Sequence, residues 1–431
     1  MSDQAAPRVG AEMLDFIREL YPVCRSITGD GLRFTLEAVR ERLDALVIHS
    51  VPSGTLVNDW EIPDEWNIRD AFIADVFGNR VVDFRDHNLH IVNYSVPKRA
   101  RVPREELLRH LHTLPDQPDL IPYRTTYYNR SWGFCLQHDK LAELQDPEYD
   151  VCIDATLETG ALSYGELVLR GESNDEVLIS THVCHPSMAN DNLSGLAVSV
   201  LLAEELSRRQ RRRYTYRFVF VPGTIGAITW LAQNAETTGR IIGGLVVALV
   251  GAPGKFHYKA SFGGDERIDR VARRTLRELG ADYVDIPFSP YGYDERQYSS
   301  PGYRMPMGSL TRTPHGEFPQ YHTSADNLDF IDGETLSESL YAYTSIVEAL
   351  ERERILVNRF PYGEPQLGRR GLYDSVGGIR SDEGRKAMLW ILSLSDGRHS
   401  IDDIADRSGI DVDAIAEVAG RLLAEGVVTE R

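Results

Sequence analysis

The chain has 431 residues, 42% of them apolar and 26% charged, with a formal net charge of −18. That length exceeds what one small core needs and predicts two or three domains, while the acidic balance repels phosphate backbones and argues against a general nucleic-acid binder. There is no run of about 18 or more apolar residues, so no membrane span is predicted.

The opening stretch, MSDQAAPRVGAEMLDF, lacks the basic-then-apolar pattern of a leader, and a cytoplasmic protein is expected. Cys24, Cys135, Cys152 and Cys184 show no paired spacing and read as reduced thiols. Residues 11–20 and 32–45 have helical spacing of apolar residues around a turn-like SITGDG. From about residue 56 to 150 the chain is rich in Trp, Pro and Gly. Short runs there (VVDF, LHIVNYSV, GFCLQH, DVCIDATL) read as strands, with a short helix at REELLRHLHTL. This region is expected to be a mostly β insert.

From about residue 160 strands and helices alternate. EVLIST (176–181), TYRFVFV (215–221) and GLVVALV (244–250) read as strands, the last with the continuous apolar character of a strand covered on both faces. NLSGLAVSVLLAEELSRR (192–209) reads as a buried helix, and ITWLAQNA, 265–279 and 334–354 as further helices. The pattern predicts an α/β sheet flanked by helices. The basic cluster Arg208, Arg209, Arg211, Arg212 and Arg213 falls between a helix and a strand and reads as a solvated helix end. After a Pro/Gly-rich break at 359–371, three short helices and a final GVVTER suggest a winged-helix unit. From residue 372 onward there are twelve acids and seven bases, a balance of −5. That favours a packing or protein-contact role over DNA binding.

In an open α/β sheet, ligands bind beyond the carboxyl ends of the strands. Three such ends run into HVCHPSMAND, PGTIGA and GAPGKF, and a fourth loop, HGEFPQYHTSADN (315–327), carries Tyr321, His322 and Asp326. His182, Asp191 and His322 are the residue types that hold a catalytic zinc with one position open for water. Such an ion lowers the pKa of that water and polarises a carbonyl. Tyr321 can donate to a developing oxyanion. Plain structural roles are equally open: His182 as a strand-end histidine, Asp191 as a helix cap, His322 as a loop residue.

The strings YPVCRSITGDG (21–31), IPYRTTYYNRSWGFCL (121–136), STHVCHPSMANDNLSG (180–195), YGYDERQYSSPG (291–302) and YHTSADNLDFI (321–331) resemble the aminopeptidase-like DUF4910 family. This family is related to the M28-type zinc aminopeptidases, and the resemblance runs end to end. It implies a phosphorylase/hydrolase-like three-layer sandwich over 1–55 and 151–358, a DUF2172-type β-rich insert over 56–150, and a winged helix over 359–431. By ancestry it implies hydrolysis at a peptide or amide bond beside a free amine.

The resemblance maps His182 and His322 onto histidine ligands, Asp191 onto an aspartate bridging two metals, and Tyr321 onto the neighbouring tyrosine. The departures are equally specific. Gly223 stands where a general-base glutamate is expected, Thr224 where a ligand glutamate is expected, and Ala252 where a ligand aspartate is expected. His185, Cys184, His315 and Glu317 lie in the same loops as substitutes, with Glu317 as a candidate base. Tyr293, Asp294, Arg296 and Gln297, in the YGYDERQ string, are candidates to recognise a ligand.

Two readings follow. One is a metallohydrolase of impaired or altered activity, holding at most one zinc, that acts on a small amine-bearing substrate. The other is a catalytically inactive binding or scaffold protein in a biosynthetic pathway. Neither involves nucleic acid or membrane. A homo-oligomer or a protein contact through the winged helix is expected.

Overall fold

The computed structural model describes residues 5–372 and 382–431. The chain divides into two compact units, Met1–Ser345 and Ile346–Arg431. In the first, an eight-stranded sheet runs in the order Val47–Pro52, Ala161–Leu169, Thr215–Val221, Glu176–His182, Ile241–Val247, Met307–Thr311, Phe256–Lys259 and Tyr283–Ile286. Thr215–Val221, Glu176–His182, Ile241–Val247 and Met307–Thr311 are mutually parallel, so their carboxyl ends share one edge. Antiparallel strands flank this parallel centre on both sides.

Every residue of Glu176–His182 and of Thr215–Val221 is buried, and the charges among them are paired, Arg217 with Glu176 and Glu166. The helix Gly195–Arg208 packs on these central strands, and ten of its residues are buried. Arg267–Glu278 packs on Ile241–Val247 with its apolar stripe inward.

A second sheet, in the order Arg80–Asp83, Glu65–Ala74, Glu148–Glu158 and Lys98–Pro103, forms the β-rich part of the 56–150 region and extends beyond it to Glu158. It shares a continuous apolar core with the main sheet through Trp66, Tyr94 and Tyr164. Arg33, on the helix Asp30–Arg42, holds Glu65 of this sheet through Nη1 and Nη2 at 2.8 and 2.6 Å.

Local expectations failed in two places. LHIVNYSV is a buried irregular segment entered by a short turn at Asn88–His90, because its amides bond to several separate loops rather than to one strand. REELLRHLHTL is helical only over Arg104–Leu108; Leu111–His112 then pairs with Phe134–Cys135. The strand Ala161–Leu169 and the edge strands 256–259 and 283–286 were not anticipated, being short or weakly patterned.

The second unit joins Ile355–Asn358, Asp396–Ser400 and Val428–Glu430 in a three-stranded sheet with the helices Asp382–Leu394, Ile401–Ser408 and Val412–Ala424. Its core is built from Leu356, Ile391, Ile404, Ile415 and Leu422. The first strand of this unit precedes the boundary expected at 359.

Candidate metal centre

His182 ends the strand Glu176–His182 and lies in register with Val221 of the parallel neighbour. The chain then turns through 183–188 and re-enters the fold as a kinked helical segment, Ala189–Ser194, ahead of the buried helix. Asn192 fixes this turn, its Nδ2 donating to Thr181 Oγ1 at 2.8 Å and to the His182 carbonyl at 3.1 Å. The Asp326 carboxylate accepts from the amides of Asn190 and Asp191 at 2.6 and 2.8 Å. Asp191 is thereby held with its side chain under the strand ends.

Asp191 is 1% exposed. Its Oδ1 lies 2.8 Å from His182 Nε2 and its Oδ2 lies 3.1 Å from His322 Nε2. His185 Nδ1 lies 3.6 Å from Asp191 Oδ1 and has no hydrogen-bond partner although it is buried. Ligand-type atoms of His182, His185 and Asp191 fall within 4.8 Å of one another. Burial by itself raises the Asp191 carboxyl, but His185, His182 and His322 around it bring it well below the usual range, so it is an anion. Burial drives His185 well below its ordinary value.

Two imidazoles and one carboxylate within mutual reach, with a third imidazole, His322, on the other carboxylate oxygen, match the nitrogen and oxygen donor set that zinc takes. The residues fit the ion.

Aromatic rings box the cluster. Tyr293 lies over His182 with ring centroids 4.1 Å apart, and Tyr321 stacks on His322 at 3.9 Å. Tyr123 meets His185 and His322 edge-on at 5.3 and 5.2 Å. His315 stacks on Tyr293 at 5.5 Å; its Nε2 is buried without a partner, and burial pushes its imidazole down to about 4.

The structure brings His182, Asp191, His322 and Tyr321 together and adds His185 in direct reach of Asp191. Other expected residues fall elsewhere. Glu317 is exposed on its loop and takes no part in the contacts around Asp191, so the base assigned to it lacks support in the geometry. Cys184 is turned towards position 223, where the Gly223 amide donates to its sulfur at 3.3 Å. Of the YGYDERQ residues, Tyr293 reaches the cluster, whereas Asp294 is fully buried with both carboxylate oxygens unpartnered. Arg296 is exposed and Gln297 half-buried, and neither joins the contacts around Asp191.

Sequence reasoning assigned no role to three residues that the fold places here. Arg25 donates from Nε to the His185 carbonyl at 2.9 Å, Tyr123 packs on two of the histidines, and Asn190 accepts from the amides of Gly251 and Ala252 at 2.9 and 3.1 Å. All three lie inside the strings that carried the resemblance, and that was the available signal.

A mixed sheet of this kind is the fold of solved zinc aminopeptidases. The chain is similar in fold to a zinc aminopeptidase from Bacillus subtilis, with a TM-score of 0.59 at 13% identity, covering 79% of this chain and 95% of that one. The chain belongs to the DUF4910 family, described as a domain of unknown function, whose model matches residues 14–353 in one span that includes the β-rich region. A winged helix-turn-helix model matches residues 354–430.

A Clostridium acetobutylicum protein described as a candidate polysaccharide biosynthesis protein with an aminopeptidase-like domain is 45% identical over 422 residues, 97% of this chain and 96% of that protein. The crystal structure of a candidate peptidase from Clostridium acetobutylicum matches with a TM-score of 0.85 at 43% identity, over 99% and 98% of the two chains.

Proposed function

We propose that this protein is a one-zinc metallohydrolase of altered chemistry, acting on an amide bond beside a free amine in a small substrate. The observation that carries the reading is the buried cluster of His182, His185 and Asp191 at the carboxyl edge of the sheet, with the part-exposed His322 on the other oxygen of Asp191. A zinc ion bound there would supply Lewis acidity towards a carbonyl and a water of lowered pKa.

The chain's own groups have separable tasks. Asp191 supplies the negative charge and, held by Asp326, fixes the ligand geometry. Tyr321, stacked on His322, would donate a hydrogen bond to the carbonyl oxygen as charge develops on it. His315, neutral and with Nε2 unpartnered, is the acceptor that fits best in place of Glu317. The aromatic rings of Tyr123 and Tyr293 exclude water from the donors.

A second reading, a binding protein without catalysis in a biosynthetic pathway, is favoured by one feature. Gly223 and Ala252 bring no carboxylate to the site, and the Tyr293 ring fills the space beside Gly223. The description of the Clostridium relative is consistent with such a pathway role. In either reading the protein works in the cytoplasm and the acidic winged-helix unit serves packing or a protein contact rather than DNA.

Zinc content after metal exposure and dialysis, together with amine release from aminoacyl amides, separates the readings. Zinc with turnover supports the hydrolase. Zinc without turnover supports the binding protein. A protein that retains no zinc overturns the metal centre.

A further inference from the structure

A pocket of about 420 Å³ opens where segments 53–64, 127–130 and 157–159 meet, within the size range of small-molecule sites. Tyr127 and Tyr128 line both this pocket and a smaller apolar cleft of about 210 Å³, whose inner wall is Gly223 and Tyr293. The two cavities share these rings, and Tyr293, which walls the smaller one, lies 4.1 Å over His182. The inner compartment is walled by Ile27, Ile225 and Ile228; the outer by Glu61, Asp64, Asn129 and Arg130.

We propose that the outer pocket binds a sugar ring, the polyhydroxylated part of a ligand whose apolar part lies in the inner cleft. A pyranose has one flat C–H face and a girdle of hydroxyls. It needs an exposed planar ring to lie on and closely spaced donors and acceptors around it. Tyr128 is 50% exposed and presents such a face; Trp60 braces it at 5.1 Å. The carboxylates of Glu61 and Asp64 accept from hydroxyls, and the Asn129 amide both donates and accepts. Arg130 holds Asp64 at 2.9 Å and keeps its carboxylate in place at the pocket wall.

Competing ligand classes fit worse. An apolar ligand would strip water from two carboxylates without replacing their hydrogen bonds. An anion would face those carboxylates with one arginine, already paired. The assignment of the inner cleft as the reacting end rests on the hydrolase reading; the sugar pocket itself does not.

The test is saturation-transfer NMR on zinc-stripped full-length protein, with methyl glucoside, glucosamine and N-acetylglucosamine at millimolar concentration. Transfer is expected to the ring C–H protons of at least one sugar. Tyr128→Ala should weaken that binding about fivefold to tenfold. Glu61→Ala should also weaken it, and Phe77→Ala, an exposed aromatic away from the pocket wall, should leave it unchanged. Because Tyr128 and Glu61 are exposed, these variants are expected to fold, which thermal melting checks. No transfer from any of the three sugars overturns the proposal, as does transfer that persists undiminished in Tyr128→Ala and Glu61→Ala. Sugar binding in a protein that fails to retain zinc would leave this pocket standing and remove the metal reading alone.

Discussion

The Tyr293 ring occupies the space that any side chain at Gly223 would need. A β-carbon built on Gly223 would lie 2.1 Å from Tyr293 Cε1 and 2.5 Å from its hydroxyl oxygen. The residue that lacks a side chain and the ring that covers it therefore form one packing unit, beside the histidine that ends the central strand.

Gly223→Ala is expected to destabilise the protein by about 1–3 kcal/mol, the usual cost of overpacking a buried site. Tyr293→Ala in the same chain should recover part of that loss, giving a double-mutant cycle that is clearly non-additive. Chemical denaturation of the four proteins measures it; strict additivity would mean that the ring moves aside at no cost.

The same contact changes what restoring acids can achieve. Gly223→Glu with Ala252→Asp is expected to gain no second equivalent of zinc, because the new carboxylate collides with the phenol ring. Adding Tyr293→Ala opens that space, and a rise above one equivalent would be seen by elemental mass spectrometry. A second ion in the double variant would disprove the steric argument.

For the metal centre itself, His182→Ala and Asp191→Asn should each abolish zinc retention, and His185→Ala should reduce it. Glu317→Gln, at an exposed position, should leave it intact. Asp326→Ala acts one step removed, freeing the two amides that it now anchors, and is expected to weaken zinc by about 10–100-fold while the ligands remain. Competition with a chelator of known affinity reads all five variants.

The Arg33–Glu65 pair offers a test far from the histidines. Hydrogen bonds from Arg33 draw the Glu65 carboxyl down from 4.5 to about 2. A depressed folded-state value means that its contribution is present above the unfolded value and fades as pH falls through 4.5 towards 2. Glu65→Gln should cost at most about 1.5–3 kcal/mol at neutral pH, the range for a hydrogen bond to a charged group. The variant should also lose less stability than wild type on acidification. Unfolding curves at neutral pH and near pH 3 make the comparison.

The central strands were legible because burial on both faces writes a mostly apolar run, continuous over residues 244–250. Edge strands such as Tyr283–Ile286 were not, since half-exposed short strands need no such run. At the site, His182, Asp191 and His322 were legible from residue type and from their place in loops after strands. Glu317 was named from loop membership alone, which does not say which way a side chain faces, and it is exposed in the structure.

The sequence by itself determined the alternation of elements, the acidic surface, the family and the residues available as ligands, all of which depend on local pattern. Only the tertiary structure decided that His185 joins Asp191, that Cys184 turns towards Gly223 instead, and that Tyr293 fills the space beside Gly223. Those outcomes depend on how one loop folds back on itself and on where loops from separate strands meet in three dimensions, and volume competition of that kind has no signature in local spacing.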